Sequence, residues 1–307
     1  MSSAYRLAIV RAGVVVLVLL LFGAMWDAHA GAAVRRQHAK ASKTQKLPTR
    51  TIIPGPAGLL AASTSVPNLS FWVLASHGAA TNIQLILRAS GKVSNIAPES
   101  TAADTVVEVP GGPLLVGRAT KSTGSLEIHK ATTGALMANV VLPGPVRAIA
   151  TTANGDTYYV LAQSHSGQVI DVISAASHKI SQAVTVPSGS RAMVFDAAQS
   201  SFFLLVGDEE IDEVDDSSGQ IESAFDVSTP ARGLALSPDG ATLYALSGTS
   251  AVSSVAVFNL TTQSQLKSLP APANSVGLQV TSDGKFLAEY VGSPTVGNIQ
   301  LVSLKQK

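Results

Sequence analysis

Residues 237–246 read Ser237-Pro-Asp-Gly-Ala-Thr-Leu-Tyr-Ala-Leu246, and residues 153–161 read Ala153-Asn-Gly-Asp-Thr-Tyr-Tyr-Val-Leu161. Each is a tight turn followed by a short apolar run. Proline presets φ, an Asp or Asn side chain caps its own turn, and glycine accepts a positive φ. The run that follows is aromatic and aliphatic and too short for a helix, so it reads as a strand. The turn returns at Asp283-Gly284.

Working outward, a comparable strand follows a turn at residues 69–74, 114–117, 157–161, 201–206, 242–246 and 285–290. Aligning Trp72, Leu115, Tyr159, Phe203, Tyr244 and Leu287 gives spacings of 43, 44, 44, 41 and 43 residues. A period of about 40–45 residues with four strands per unit belongs to the blades of a β-propeller. The fifth unit shows the four strands most clearly, at 232–237, 242–246, 254–260 and 265–269, running from the axis to the rim. Outer turns recur as Ala89-Ser90-Gly91, Thr132-Thr133-Gly134 and Ser217-Ser218-Gly219. The expected fold is all-β with six blades; seven is the alternative count, since weak repeats merge easily.

The chain ends indicate how the ring closes. The last repeat stops after residues 298–304 without an outer strand, while an orphan segment, Thr51-Ile52-Ile53-Pro54-Gly55-Pro56, precedes the first. That orphan matches Val140-Val141-Leu142-Pro143-Gly144-Pro145, which ends the second repeat. It is expected to dock as the outer strand of the last blade, leaving only short edges exposed.

The two segments quoted first resemble the YVTN-type propeller repeat, with its Pro-Asp-Gly turn, tyrosine-bearing strand, aliphatic strand and Thr/Ser-Gly turn. The resemblance covers roughly residues 50–307 and is strongest in the third, fifth and sixth repeats. It implies the fold and no chemistry: such repeats occur in lactonase-like enzymes, in electron-transfer protein domains, and in surface or scaffold proteins. No catalytic residue carries over, because the repeat motif contains none.

The N-terminus reads as an address. Arg6 and Arg11 precede an apolar run from Val14 to Trp26, and Ala28-His29-Ala30 has the small-x-small pattern of a cleavage site. The run is shorter than the roughly 20 residues a membrane helix needs. Residues 1–30 are therefore expected to be a signal peptide, with a retained membrane anchor as the alternative. Residues 31–49 carry Arg35, Arg36, Lys40, Lys43 and Lys46 without an acidic residue, as a flexible basic linker does. Residues 50–307 are the propeller. Either reading of the N-terminus places it outside the cytoplasm, whether periplasmic, at the cell surface or secreted, with membrane contact only through an uncleaved anchor.

Of the 307 residues, 46% are hydrophobic and 13% charged, with a net charge of +1. A large core can be buried, and the concentrated basic surface that nucleic acid requires is missing. The chain has no cysteine, which removes disulfides, thiolate metal sites, iron–sulfur clusters and a cysteine nucleophile. Gly-x-Ser-x-Gly, Gly-x-Gly-x-x-Gly, Walker-type and His-Glu-x-x-His motifs do not occur, so no cofactor is expected.

Candidate site residues follow from propeller geometry. The start of each inner strand, and the loop between second and third strands, lie on one face around the channel mouth. Arg147, Arg191 and Arg232 hold the same repeat position on consecutive blades, and an arc of guanidinium groups attracts a carboxylate or phosphate. The plainer reading pairs each arginine with its own blade or a loop carboxylate. Asp104 holds the position in the second blade, and His77 and His165 lie in loops of the same face. No third ligand matches the two histidines, so no metal is expected. His129, two residues from Glu127 on one strand, reads as packing. The acidic run Asp208, Glu209, Glu210, Asp212, Glu213, Asp215 and Asp216 lacks EF-hand spacing and reads as a solvated edge, whose first residues neutralise Arg191 or Arg232. The expected function is non-catalytic binding of a protein or small anionic ligand by a monomer. The alternative is a lactonase-like hydrolase acting on a small anion at the mouth.

Overall fold

The inner turns form as their residues dictate. Gly240, Gly155 and Gly284 take φ of 69°, 74° and 67°, and each donates its N–H to the carbonyl three residues earlier, on Ser237, Thr152 and Thr281. The hydroxyls of those three residues do a second job. Ser237 Oγ accepts the Thr242 N–H at 2.9 Å, and Thr152 and Thr281 Oγ1 accept from Thr157 and Phe286 at 3.1 Å each. The working turn is therefore Ser/Thr-x-Asp/Asn-Gly, one hydroxyl longer than the Pro-Asp-Gly element that stands out in the sequence.

The computed structural model describes residues 50–304 apart from 58, 66–69, 78–79, 88–91, 100–102, 120–121, 228 and 250. The expected signal peptide and basic linker lie outside the described residues. Among the described residues, 24 strands pair into six four-stranded antiparallel sheets. Blades one to five span residues 59–99, 103–142, 146–186, 190–226 and 231–271, with strands in chain order from axis to rim. Blade six takes three strands from residues 275–303 and its outer strand from Arg50–Gly55. The count is six, and seven is excluded.

Closure follows the expected pairing. Ile52 stands opposite Gln300 and Ile53 opposite Ile299 in an antiparallel register running from Arg50↔Val302 to Gly55↔Gly297. Glycines permit the close approaches at this seam. A Cβ on Gly292 would sit 1.8 Å from the Leu59 carbonyl oxygen, and one on Gly297 would sit 1.6 Å from that of Pro56.

The core is divided among the six interfaces between blades. Tyr159, Leu161 and Ile170 of blade three meet Met193, Phe202, Leu204 and Val214 of blade four, for instance. The same arrangement recurs at the other five junctions. Each fully buried Leu, Ile or Phe contributes roughly 1.5–3 kcal/mol, and because strands are covered on both faces, the middle of each blade is largely apolar.

One alignment from the sequence shifts. Trp72, Leu115, Tyr159, Phe203 and Tyr244 pair equivalently with their inner strands, opposite Ser63, Val107, Ala150, Val194 and Ala235. In blade six the equivalent residue is Ala288, opposite Gln279, and not Leu287.

Candidate site at the channel mouth

Every inner strand carries a β-bulge at its second residue. In blade three Val146 pairs with Ala162 and Ala148 with Leu161, leaving Arg147 as the extra residue. The same step isolates Leu60, Asp104, Arg191, Arg232 and Val276 in the other blades. A bulge releases its residue from the ladder and re-aims the side chain. These six residues line one axial cavity of about 480 Å³, whose wall is made by the inner strands of all six blades. The sequence placed the arginines and Asp104 in one repeat position, and the bulge is the physical reason that position is special.

The three arginines differ in their commitments. Arg191 pairs with Asp208 and donates to the Ala231 carbonyl at 2.7 Å, so the first residue of the acidic run does neutralise it. Arg232 turns into its own blade, donating to Ser253 Oγ at 2.6 Å and the Thr249 carbonyl at 3.3 Å. Its Nε is buried without a hydrogen-bond partner among the described residues, and burial lowers its pKa. Arg147 is exposed and makes no hydrogen bond or ion pair with another described residue. Its charge acts on Asp104 of the adjoining blade. Desolvation raises that carboxyl above its ordinary range, against the opposing pull of the Ala119 backbone and the charge of Arg147.

The histidines do not join this set. His165 is exposed in the turn after residues 157–164 and does not line the cavity. His77 ends the second strand of blade one, and its side chain lies outside the described residues. Asp104 shares no hydrogen bond with a histidine among the described residues. His129 is buried: Nδ1 meets the Gly134 carbonyl and Nε2 meets Glu127 Oε2, each at 3.0 Å. Glu127 also grips Arg118, with Oε1 2.7 Å from Nε. Burial raises the Glu127 pKa, but the Arg118 and His129 hydrogen bonds outweigh it and the net shift is downward.

The acidic run of blade four is exposed at Asp208, Glu209 and Glu210 and turns inward after them. Glu213 accepts from Ser223 at 2.7 Å and Ser201 at 3.4 Å. Asp215 caps the outer turn through the N–H and hydroxyl groups of Ser217 and Ser218. Asp212 is buried, not solvated, and burial first and Glu210 second raise its pKa. Among the described residues no group of three His, Asp or Glu side chains is placed to hold a metal ion.

Two buried carboxylates with strongly raised pKa values escaped the sequence reading. Glu289, in the second strand of blade six, is fully buried and receives Arg50 Nη1 of the closing strand at 2.5 Å. Arg50 also donates to Gln300 Oε1 at 3.0 Å and to the Pro270 carbonyl of blade five. Desolvation nevertheless pushes Glu289 up to about 7, against the charge and hydrogen bond of Arg50. Asp171, in the third strand of blade three, is raised by burial to about 6. The available signal was a carboxylate in mid-strand with apolar residues on both sides.

No protein-family model and no curated protein sequence matches the chain. Solved structures do. Hydrazine synthase from Kuenenia stuttgartiensis is similar at a TM-score of 0.58 and 15% identity, over 80% of this chain and 76% of that one. At that identity the likeness establishes the propeller fold alone.

Proposed function

We propose that this chain is an exported, non-catalytic binding propeller of the YVTN-like kind, whose receptor site is the mouth of the axial cavity. The observation that carries the reading is the state of Arg147. Of three guanidinium groups at equivalent positions, two are engaged by protein oxygens and one, exposed at the rim, has no hydrogen-bond or ion-pair partner among the described residues. An uncommitted guanidinium offers planar paired donors to a carboxylate or phosphate. A cavity of about 480 Å³ lies in the usual range for a small-molecule site, about 300–1,000 Å³.

Melting of the full chain against small anions at fixed ionic strength tests the reading. Stabilisation is expected with the wild-type chain and in Arg191→Ala, and is expected to vanish in Arg147→Ala. Equal stabilisation of all three chains refutes an Arg147 site; no stabilisation by any anion shifts the reading to a protein-binding scaffold.

The hydrolase alternative uses the same mouth, with Asp104 as a base whose raised carboxyl stands beside Arg147. It needs a second proton-transfer group, and none of the described histidines reaches Asp104. Release of acid from lactones, lost in Asp104→Asn, would favour it. Export rests on the reading of residues 1–30. Mass determination of the mature chain after expression in a bacterial host is expected to find Gly31 as its first residue.

A further inference from the structure

We infer that the ligand is an organic monoanion with an apolar body, its acid group on Arg147 and its body across the mouth against Val276 and Leu60; this rests on the proposed anion site at the mouth. The rim is two-sided. In order around the ring its six bulge residues are Leu60, Asp104, Arg147, Arg191, Arg232 and Val276. With six blades, Val276 stands across the axis from Arg147 and Leu60 across from Arg191. Val276 and Leu60 are 37% and 42% exposed, so an apolar arc faces the cationic one.

Charge at the rim selects against a second negative charge on the ligand. Arg191 is already neutralised by Asp208, and Arg232 is turned into its blade. Asp104 lies beside Arg147 and its carboxyl is held in a partly desolvated setting. A dianion would meet one open guanidinium and one neighbouring carboxylate, whereas a monocarboxylate satisfies Arg147 bidentately and brings no excess charge.

Below the rim, Ala61, Ala148 and Ala192 pack into the layers between blades, so the apolar side chains offered to a ligand are those of the rim itself. Release of water from the exposed rim side chains Val276 and Leu60 favours an apolar body lying across the mouth.

Titration calorimetry of the full chain with octanoate, acetate, inorganic phosphate and octan-1-ol tests this. Octanoate is expected to bind at least about tenfold tighter than each of the other three, a difference of about 1.4 kcal/mol. Arg147→Gln is expected to remove that advantage over octan-1-ol. Val276→Asn changes an exposed rim residue without adding charge and is expected to remove the advantage over acetate while leaving acetate binding in place; a melting curve checks that each variant folds. Acetate, phosphate and octanoate binding alike, all through Arg147, would overturn the apolar body and leave the anion site standing. Octan-1-ol binding as well as octanoate would overturn the anion site itself.

Discussion

Replacing Arg50 by methionine keeps most of the aliphatic stem and removes the cation that the closing strand lays against Glu289. Glu289 is fully buried, and its Oε1 has no hydrogen-bond partner among the described residues. In the wild-type chain the gap between its folded value of about 7 and the ordinary 4.5 corresponds to about 3 kcal/mol at roughly 1.4 kcal/mol per pH unit. Between those values the folded state holds a proton that the unfolded chain has lost. The contribution of this group to stability is therefore greatest below pH 4.5, declines as pH rises to 7, and is level above. Without Arg50 the carboxyl moves further upward. At pH 8 the variant must bury an unpaired charge or bind a proton against the solution, and the expected loss is about 3–5 kcal/mol. At pH 5 the carboxyl is already neutral, and the loss shrinks to the hydrogen bonds with Gln300 and Pro270, about 1–2 kcal/mol. Urea unfolding at both pH values and one ionic strength, followed by the fluorescence of buried Trp72, measures the difference. The double variant Arg50→Met/Glu289→Gln is expected to recover most of the loss at pH 8. Equal losses at pH 5 and pH 8, or no rescue by glutamine, would refute the account.

Three further outcomes follow from the same geometry. Asp171→Asn should stabilise the chain at pH 8 by up to about 3 kcal/mol, from the difference between about 6 and 3.8. That gain should fade as pH drops through 6 towards 4, which urea unfolding across that range would reveal. His178 takes φ of 54° in an outer turn where blades two and four have Gly134 and Gly219 at 69° and 72°. Relief of left-handed strain at about 1–2 kcal/mol, less the added entropy of glycine at about 0.5–1, predicts that His178→Gly raises stability by up to about 1 kcal/mol, read as a higher melting temperature. Gly292→Ala forces a Cβ onto the Leu59 carbonyl at the seam between blades six and one. It should cost about 1–3 kcal/mol in a urea melt, as overpacking does.

The blade count and ring closure were legible because glycine-bearing turns recur at a fixed period and because residues 51–56 repeat the end of blade two. Strand register was less so. In blade six Leu287 was matched to Tyr244, whereas Ala288 occupies the place. A strand covered on both faces is apolar on both, and without alternation one residue of slip leaves no trace. The bulges were invisible for a related reason. Their residues are Leu60, Asp104, three arginines and Val276, which share a position and no side-chain chemistry. The expectation of an arginine arc captured where Arg147, Arg191 and Arg232 lie. It paired the acidic run with Arg191 or Arg232, but it could not show Arg232 turned into its own blade, because Ser253 approaches it only once the sheet is folded.

The rim bulges also bear on how such a ring changes its target. Because each rim residue is excluded from its strand ladder while its neighbours on either side stay paired, one that holds no other part of the fold can be exchanged without asking the interblade layers to repack. Leu60, Arg147 and Val276 meet that condition, whereas Arg191 is tied to Asp208 and Ala231 and Arg232 to Ser253. Libraries confined to Leu60, Arg147 and Val276 should yield new ligand preferences on a scaffold of nearly constant thermal tolerance.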